Sequence, residues 1–189
     1  MPNPSRRRFG RRTAPNDVRV LTLEALAWKE LGQEGKALAV FHRVLELSPG
    51  YLAALEGAAQ LEYAASSERA TPLLDRLLKL RPDEPTAHAM RAVMAWKHRD
   101  CETAVLHFER SRSEIASQPE ALEEFGICLV RLKQPEAAAE VFRQVVAKDP
   151  TNRRARYSLA SVEMMAQRHQ AAIDSLQPLI AGADPDTKA

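Results

Sequence analysis

The sequence predicts an all-α solenoid, and three observations carry that prediction. A small residue, a second small residue twelve positions on and a bulky apolar residue four beyond that recur five times: Ala25, Ala37, Phe41; Ala58, Ala70, Leu74; Ala92, Ala104, Phe108; Gly126, Ala138, Phe142; Ala160, Ala172, Leu176. Successive sets are offset by 33, 34, 34 and 34 residues. A fixed period of that size belongs to stacked helical pairs and not to one globular core. Pro and Gly are few and sit mainly between stripes of helical spacing, and aromatic residues are only 5% of the chain, as suits helices packed through small side chains.

Residues 1–16 hold Pro2, Pro4, Gly10 and Pro15 among five arginines (Arg6, Arg7, Arg8, Arg11, Arg12), with no acid and no apolar period. A disordered basic arm is expected there. Asp17 then offers a carboxylate to the orphan amides of a first helix over 17–31, whose stripe is Leu21, Ala25, Trp28 and Leu31. Gly32 and Gly35 break it. A second helix over 36–47 carries Ala37, Val40, Phe41, Val44, Leu45 and Leu47, and stops at Ser48-Pro49-Gly50, where proline lacks the amide a helix needs. The same order returns in 51–65 with 68–80, in 86–98 with 102–114, in 119–132 with 135–148, and in 153–167 with 169–181. Pro82 and Pro85, Pro119, Pro150, and Gly182 with Pro185 close these pairs in turn. Such short breaks force neighbouring helices antiparallel. The twelve-residue separation puts one small residue on each helix of a pair, equidistant from the turn, so the axes can approach at the short end of about 8–10 Å.

The net charge is +2, but the arm holds 5 of the 27 basic residues, which leaves 22 against 25 acids, about −3, on the body. The body has no general attraction for nucleic acid, and a nucleic-acid expectation rests on the Arg6–Arg12 arm alone. Cys101 and Cys128 form a lone pair without CxxC spacing, so neither a disulfide framework nor a zinc site is expected, and Cys128 reads as a small packed hydrophobe between Ile127 and Leu129. His98, Cys101 and His107 fit no common zinc pattern. No HExxH, GxSxG, phosphate-binding glycine loop or dinucleotide fingerprint is present. The expectation is therefore no catalytic residue, no cofactor, no metal and no small-molecule substrate. No apolar run reaches the roughly 18 residues of a transmembrane helix. Ser5-Arg6-Arg7-Arg8-Phe9 resembles the start of a twin-arginine export signal, but Arg11, Arg12, Asn16, Asp17, Arg19 and Glu24 interrupt the apolar region such a signal requires. Cytoplasmic localisation is expected.

The fivefold pattern resembles the tetratricopeptide repeat (TPR) family. The fourth unit shows it best, through Leu122, Phe125, Gly126, Leu129, Ala138, Phe142 and Pro150; the first shows it through Trp28, Gly32, Ala37, Phe41 and Pro49. Glu24, Gly57 and Arg91 stand where the family favours Leu, and Ala116 and Asp184 where it favours Pro. The resemblance implies a right-handed superhelix over 17–186, with repeats 18–50, 51–84, 85–118, 119–152 and 153–186. It implies a tail at 187–189, truncated before the solvating helix that usually closes such arrays. Ala172, Ile173, Leu176, Leu179 and Ile180 make the last helix too apolar to face water, so a fragment of a longer protein, or end-to-end self-association, is expected.

What the family implies for function is a non-catalytic scaffold that binds a protein or peptide on its concave face. By that resemblance the partner-binding residues are Tyr63, Trp96, Lys97, Val130, Arg131, Tyr157 and Met164. Leu26, Leu55, Val93 and Ile127 would face the same way, with core packing between repeats as the competing reading for Leu26, Val93 and Ile127. Thr22, Leu26, Glu56, Thr86 and Met90 occupy the positions of the chaperone-tail clamp, and none of them holds a carboxylate. The alternative function is a regulatory or substrate-presenting region of a larger enzyme whose catalytic domain lies outside this chain.

Overall fold

The computed structural model describes residues 16–181. The basic arm, but for Asn16, and everything beyond Ala181 lie outside the described residues. Asn16 Oδ1 accepts a hydrogen bond from Arg43 Nη2 at 3.0 Å. The chain divides into two compact units, Met1–Ala70 and Thr71–Ala189.

In the first unit α1 (Val18–Glu30), α2 (Glu34–Leu47) and α3 (Leu52–Ala64) follow one another. Asp17 caps α1 as expected: its carboxylate accepts from the Arg19 amide at 2.9 Å. The Arg19 side chain on the same carboxylate, then the amide, hold Asp17 below the usual carboxylate range. The ring of Phe41 on α2, fully buried, seats against Gly57 on α3, and a Cβ at Gly57 would stand inside that ring's van der Waals surface. Glycine replaces the family's usual Leu at this point because the Phe41 ring already fills the space.

The second unit contains α4 (Ala70–Leu80), which starts at the boundary, then α5 (Pro85–Lys97), α6 (Cys101–Arg110), α7 (Arg112–Ile115), α8 (Pro119–Arg131), α9 (Pro135–Lys148), α10 (Arg153–Met165) and α11 (His169–Ala181). Proline opens α5, α8 and α9, where its missing amide would have been an orphan. Phe108, Ile115, Phe125, Leu129, Phe142 and Val145 form the heart of the core, with the Phe108 and Phe125 rings 5.3 Å apart and tilted. All ten small residues of the fivefold pattern are buried, and of the bulky ones only Leu176 is partly exposed.

Three details differ from expectation. The helix expected over 102–114 is broken at Ser111. Its buried hydroxyl donates to the carbonyls of His107 and Phe108, and its amide is shared between the same two oxygens. The 33-residue offset is also displaced: the first helices begin at 18, 52, 85, 119 and 153, so the short step follows the second repeat's first helix and not the first repeat's. Finally, Cys101 and Cys128 are joined in a disulfide, with Cα atoms 5.0 Å apart. The lack of CxxC spacing was no guide, because the chain runs through α6 and α7 and back along α8, which brings the first residue of α6 beside α8 across 27 positions of sequence.

The turns inside the repeats share one geometry. Gly32, Ser66, Arg99, Lys133 and Gln167 adopt left-handed backbone, with φ of 69°, 53°, 61°, 59° and 58°. Around each, two amides reach back over the helix end: Lys133 N to Val130 O at 3.0 Å and Gln134 N to Leu129 O at 2.9 Å are typical. These are Schellman bonds, which satisfy the carbonyls that a helix C-terminus leaves open.

Candidate partner-binding site

In the second unit, α8 and α10 enclose a cleft of about 220 Å³ with the Phe142 ring of α9 in its lining. Ile127 and Val130 line it from α8. Tyr157, Ser158, Ser161, Val162 and Met165 line it from α10, spaced as one helical face. Ser161 turns its hydroxyl back to the Tyr157 carbonyl at 2.8 Å, which leaves the cleft mostly apolar.

Two of the sequence-derived residues, Val130 and Tyr157, line this cleft, and Tyr157 is 67% exposed. Met164 lies outside the lining and is exposed; its neighbour Met165 takes the place. Ile127, for which core and groove were both open, is half-buried and lines the cleft. Trp96 on α5 is half-buried with the Arg131 guanidinium 5.2 Å above its ring, a cation–π pair that joins two of the expected residues to each other. Lys97 is exposed. Tyr63, half-buried, belongs to the first unit. Leu55 is fully buried core and is corrected from the groove set. Phe142, Ser158, Ser161 and Val162 also line the cleft and are not marked by the sequence: the serines carry no apolar signal, and Phe142 stands there only as the bulky member of the fourth set.

Charge is ordered along the same helices. Glu123 on α8 accepts from Asn152 Nδ2 at 3.0 Å and lies 3.6 Å from Arg154 Nε. Asn152 also caps α10, accepting from the Ala155 amide at 2.9 Å. On α10 the buried carboxylate of Glu163 is met by the Ser175 hydroxyl at 2.9 Å and by Arg143 Nε at 3.5 Å. Glu124 is less well served. Its Oε2 is buried and takes no hydrogen bond among the described residues. Burial pushes its carboxyl up to about 7, with Lys97 opposing and Glu120 adding to the shift.

The Cys101–Cys128 bond fixes α8 to the start of α6 one residue from Ile127. Among the described residues no group of three or more His, Cys, Asp and Glu could hold a metal ion, and no helix is long and apolar enough to cross a membrane.

Comparison with known proteins agrees with this architecture. A family model described as tetratricopeptide repeat matches residues 61–119 and 124–186. No curated protein matches the chain. Among solved structures, one described as YrrB, a TPR protein with an unusual peptide-binding site, is 20% identical with a TM-score of 0.73, over 92% of this chain and 90% of the other. A MamA protein is 13% identical at a TM-score of 0.67, over 91% and 97%. MamA from Desulfovibrio magneticus RS-1 is 16% identical at 0.65, over 87% and 93%. At these identities the likeness is one of fold.

Proposed function

The chain belongs to the tetratricopeptide repeat family, and from that premise we propose that it is a non-catalytic scaffold holding a peptide segment of a partner protein in the α8–α10 cleft. The observation that carries this reading is the lining itself: Ile127, Val130, Tyr157 and Met165 converge on one space of about 220 Å³. That is below the roughly 300–1,000 Å³ of small-molecule pockets and suits one or two apolar side chains. A thioether and an exposed aromatic adapt well to such anchors. Arg131, next in the chain to the lining residue Val130, favours an acidic residue flanking the anchor, whereas Arg154 already faces Glu123 at 3.6 Å. A peptide-binding site described for the YrrB protein of the same fold supports the reading.

The test is a random peptide library panned on the chain and on a Tyr157→Ala, Met165→Ala variant with unchanged circular dichroism. Peptides with an apolar anchor beside acids should be enriched on the parent and lost on the variant. Enrichment of the same peptides by both would place the site elsewhere.

Self-association is a second reading, favoured by Ile173 and Ile180 of α11, which are 51% and 68% exposed. Sedimentation should then depend on concentration in the parent and not in an Ile173→Lys, Ile180→Lys variant. The cytoplasmic placement expected from the sequence competes with the disulfide, since cystines persist in oxidising compartments. Thiol trapping in intact cells decides it: alkylated Cys101 and Cys128 support the cytoplasm, a protected pair opposes it.

A further inference from the structure

A second cleft, of about 410 Å³, is formed by α4, α5 and α6 and shares no residue with the first. His88, His107, Asp75, Lys79 and Arg110 line it, with Leu78 and Leu106 as apolar walls. The order of hydrogen bonds within it fixes the protons. His88 is buried, and its Nε2 lies 2.8 Å from the carbonyl oxygen of Pro82. A carbonyl oxygen only accepts, so His88 Nε2 carries the hydrogen and, in the neutral ring, His88 Nδ1 is a lone pair. His107 Nδ1 stands 2.7 Å from that lone pair and must donate to it. His107 Nε2 is then left as a bare acceptor.

The surroundings keep it so. Burial, then the neighbouring His88 and Arg91, bring His107 down to about 4; Asp75 opposes and Arg110 reinforces the shift. The groups that face the pair are Asp75 and Lys79 from α4, Arg91 from α5 and Arg110 from α6. Arg91 Nε holds the Asp75 carboxylate at 2.7 Å, which offsets its charge. Lys79 and Arg110 make no ion pair among the described residues. The cleft thus presents two exposed cations and one hydrogen-bond acceptor that does not become a donor at neutral pH.

Cations select an anion, and the bare acceptor selects one that brings its own hydrogen. Carboxylates and sulfate have none at neutral pH, whereas hydrogenphosphate does, and a phosphomonoester does while its second proton, lost at a pKa of about 6, is retained. We propose that this cleft binds hydrogenphosphate or a monoprotonated phosphomonoester, with Lys79 and Arg110 on the anionic oxygens and His107 Nε2 accepting the P–O–H hydrogen bond. This site is separate from the peptide cleft and does not depend on it.

Long-range 1H–15N spectra of the full chain at pH 7 read the His107 ring directly. Potassium phosphate, potassium sulfate and glycerol 2-phosphate are titrated at constant ionic strength. The expected spectrum has the His107 hydrogen on Nδ1, and its Nε2 signal saturates with phosphate at a concentration about tenfold or more below that for sulfate, the weight of one charge-assisted hydrogen bond. Lys79→Met with Arg110→Met, two exposed positions, should weaken phosphate binding about tenfold or more with the helical signal unchanged. His107→Gln, which can donate as well as accept, should narrow the preference over sulfate. Glycerol 2-phosphate binding that tightens below about pH 6 would identify the monoester as the ligand; binding of phosphate alone would identify the free anion. A hydrogen found on Nε2, an equal response to phosphate and sulfate, or no saturable response to phosphate overturns the proposal.

Discussion

Each of the five turns places one residue in left-handed backbone, and only the first gives that position to glycine. For Ser66, Arg99, Lys133 and Gln167 the Cβ crowds the following carbonyl, at a cost of about 1 kcal/mol or more. Lys133→Gly and Arg99→Gly are each expected to stabilise the chain by about 0.5–1 kcal/mol, part of the gain being lost to the freer unfolded glycine. Urea unfolding measures this, and a lower midpoint in both variants would refute it. Nothing in a lysine or an arginine announces that backbone, so these four positions were legible only through their register with Gly32.

Glu124 sets a pH dependence. Folded, its carboxyl keeps a proton to about pH 7; the ordinary value is 4.5. Between those values this carboxyl binds more protons in the folded chain than in the unfolded one. Its contribution to stability is therefore complete below pH 4.5 and is lost as pH rises through 7. His107, brought down to about 4 from 6.5, acts with the opposite sign and offsets this decline between about pH 4.5 and 6.5. Glu124→Gln, neutral throughout, removes the carboxyl's share alone, so its melting temperature should rise with pH more steeply than the parent's between pH 5 and 7. A parental slope in the variant would show that another group carries it.

At the scale of the helices, the seam between α2 and α3 depends on Gly57 under Phe41. Gly57→Ala gains about 1 kcal/mol of helix propensity but forces a fully buried ring to move, and overpacking of that kind costs about 1–3 kcal/mol. A net loss of up to about 2 kcal/mol is expected in thermal unfolding. Gly126→Ala, whose Cβ would come within 2.7 Å of Phe142 Cζ, should behave alike. The helices themselves were plain in the sequence, because apolar spacing and proline mark where each begins and ends. The break at Ser111 was not, since a serine can bond to the preceding carbonyls without ending a helix. Nor could the sequence separate Met164 from Met165: adjacent residues lie about 100° apart on a helix, and a stripe of apolar residues is wider than that.

For the molecule as a whole, stability in repeat proteins is a sum of units and their neighbouring interfaces, and the Cys101–Cys128 bond ties two repeats of the second unit together. Closing a loop across 27 positions removes unfolded-state entropy worth about 3.5 kcal/mol on the chain-entropy account. A reductant should lower the unfolding midpoint by a corresponding amount, and should leave a Cys101→Ser, Cys128→Ser variant unmoved. Equal midpoints with and without reductant would show that the bond adds no stability. Fold and family were written into the fivefold period, while this bond was not, since two cysteines 27 residues apart have no spacing that distinguishes a bonded pair from two packed thiols.

The same bond makes the chain shorter than its own sequence. Held by its ends and drawn straight, the polypeptide would pass from Cys101 directly to Cys128, and the intervening residues would hang as slack. At about 3.4 Å per residue that is about 90 Å of hidden contour length. Tension alone would straighten every helix outside the loop and leave those inside it unloaded, until a thiol released the stored length in a single step.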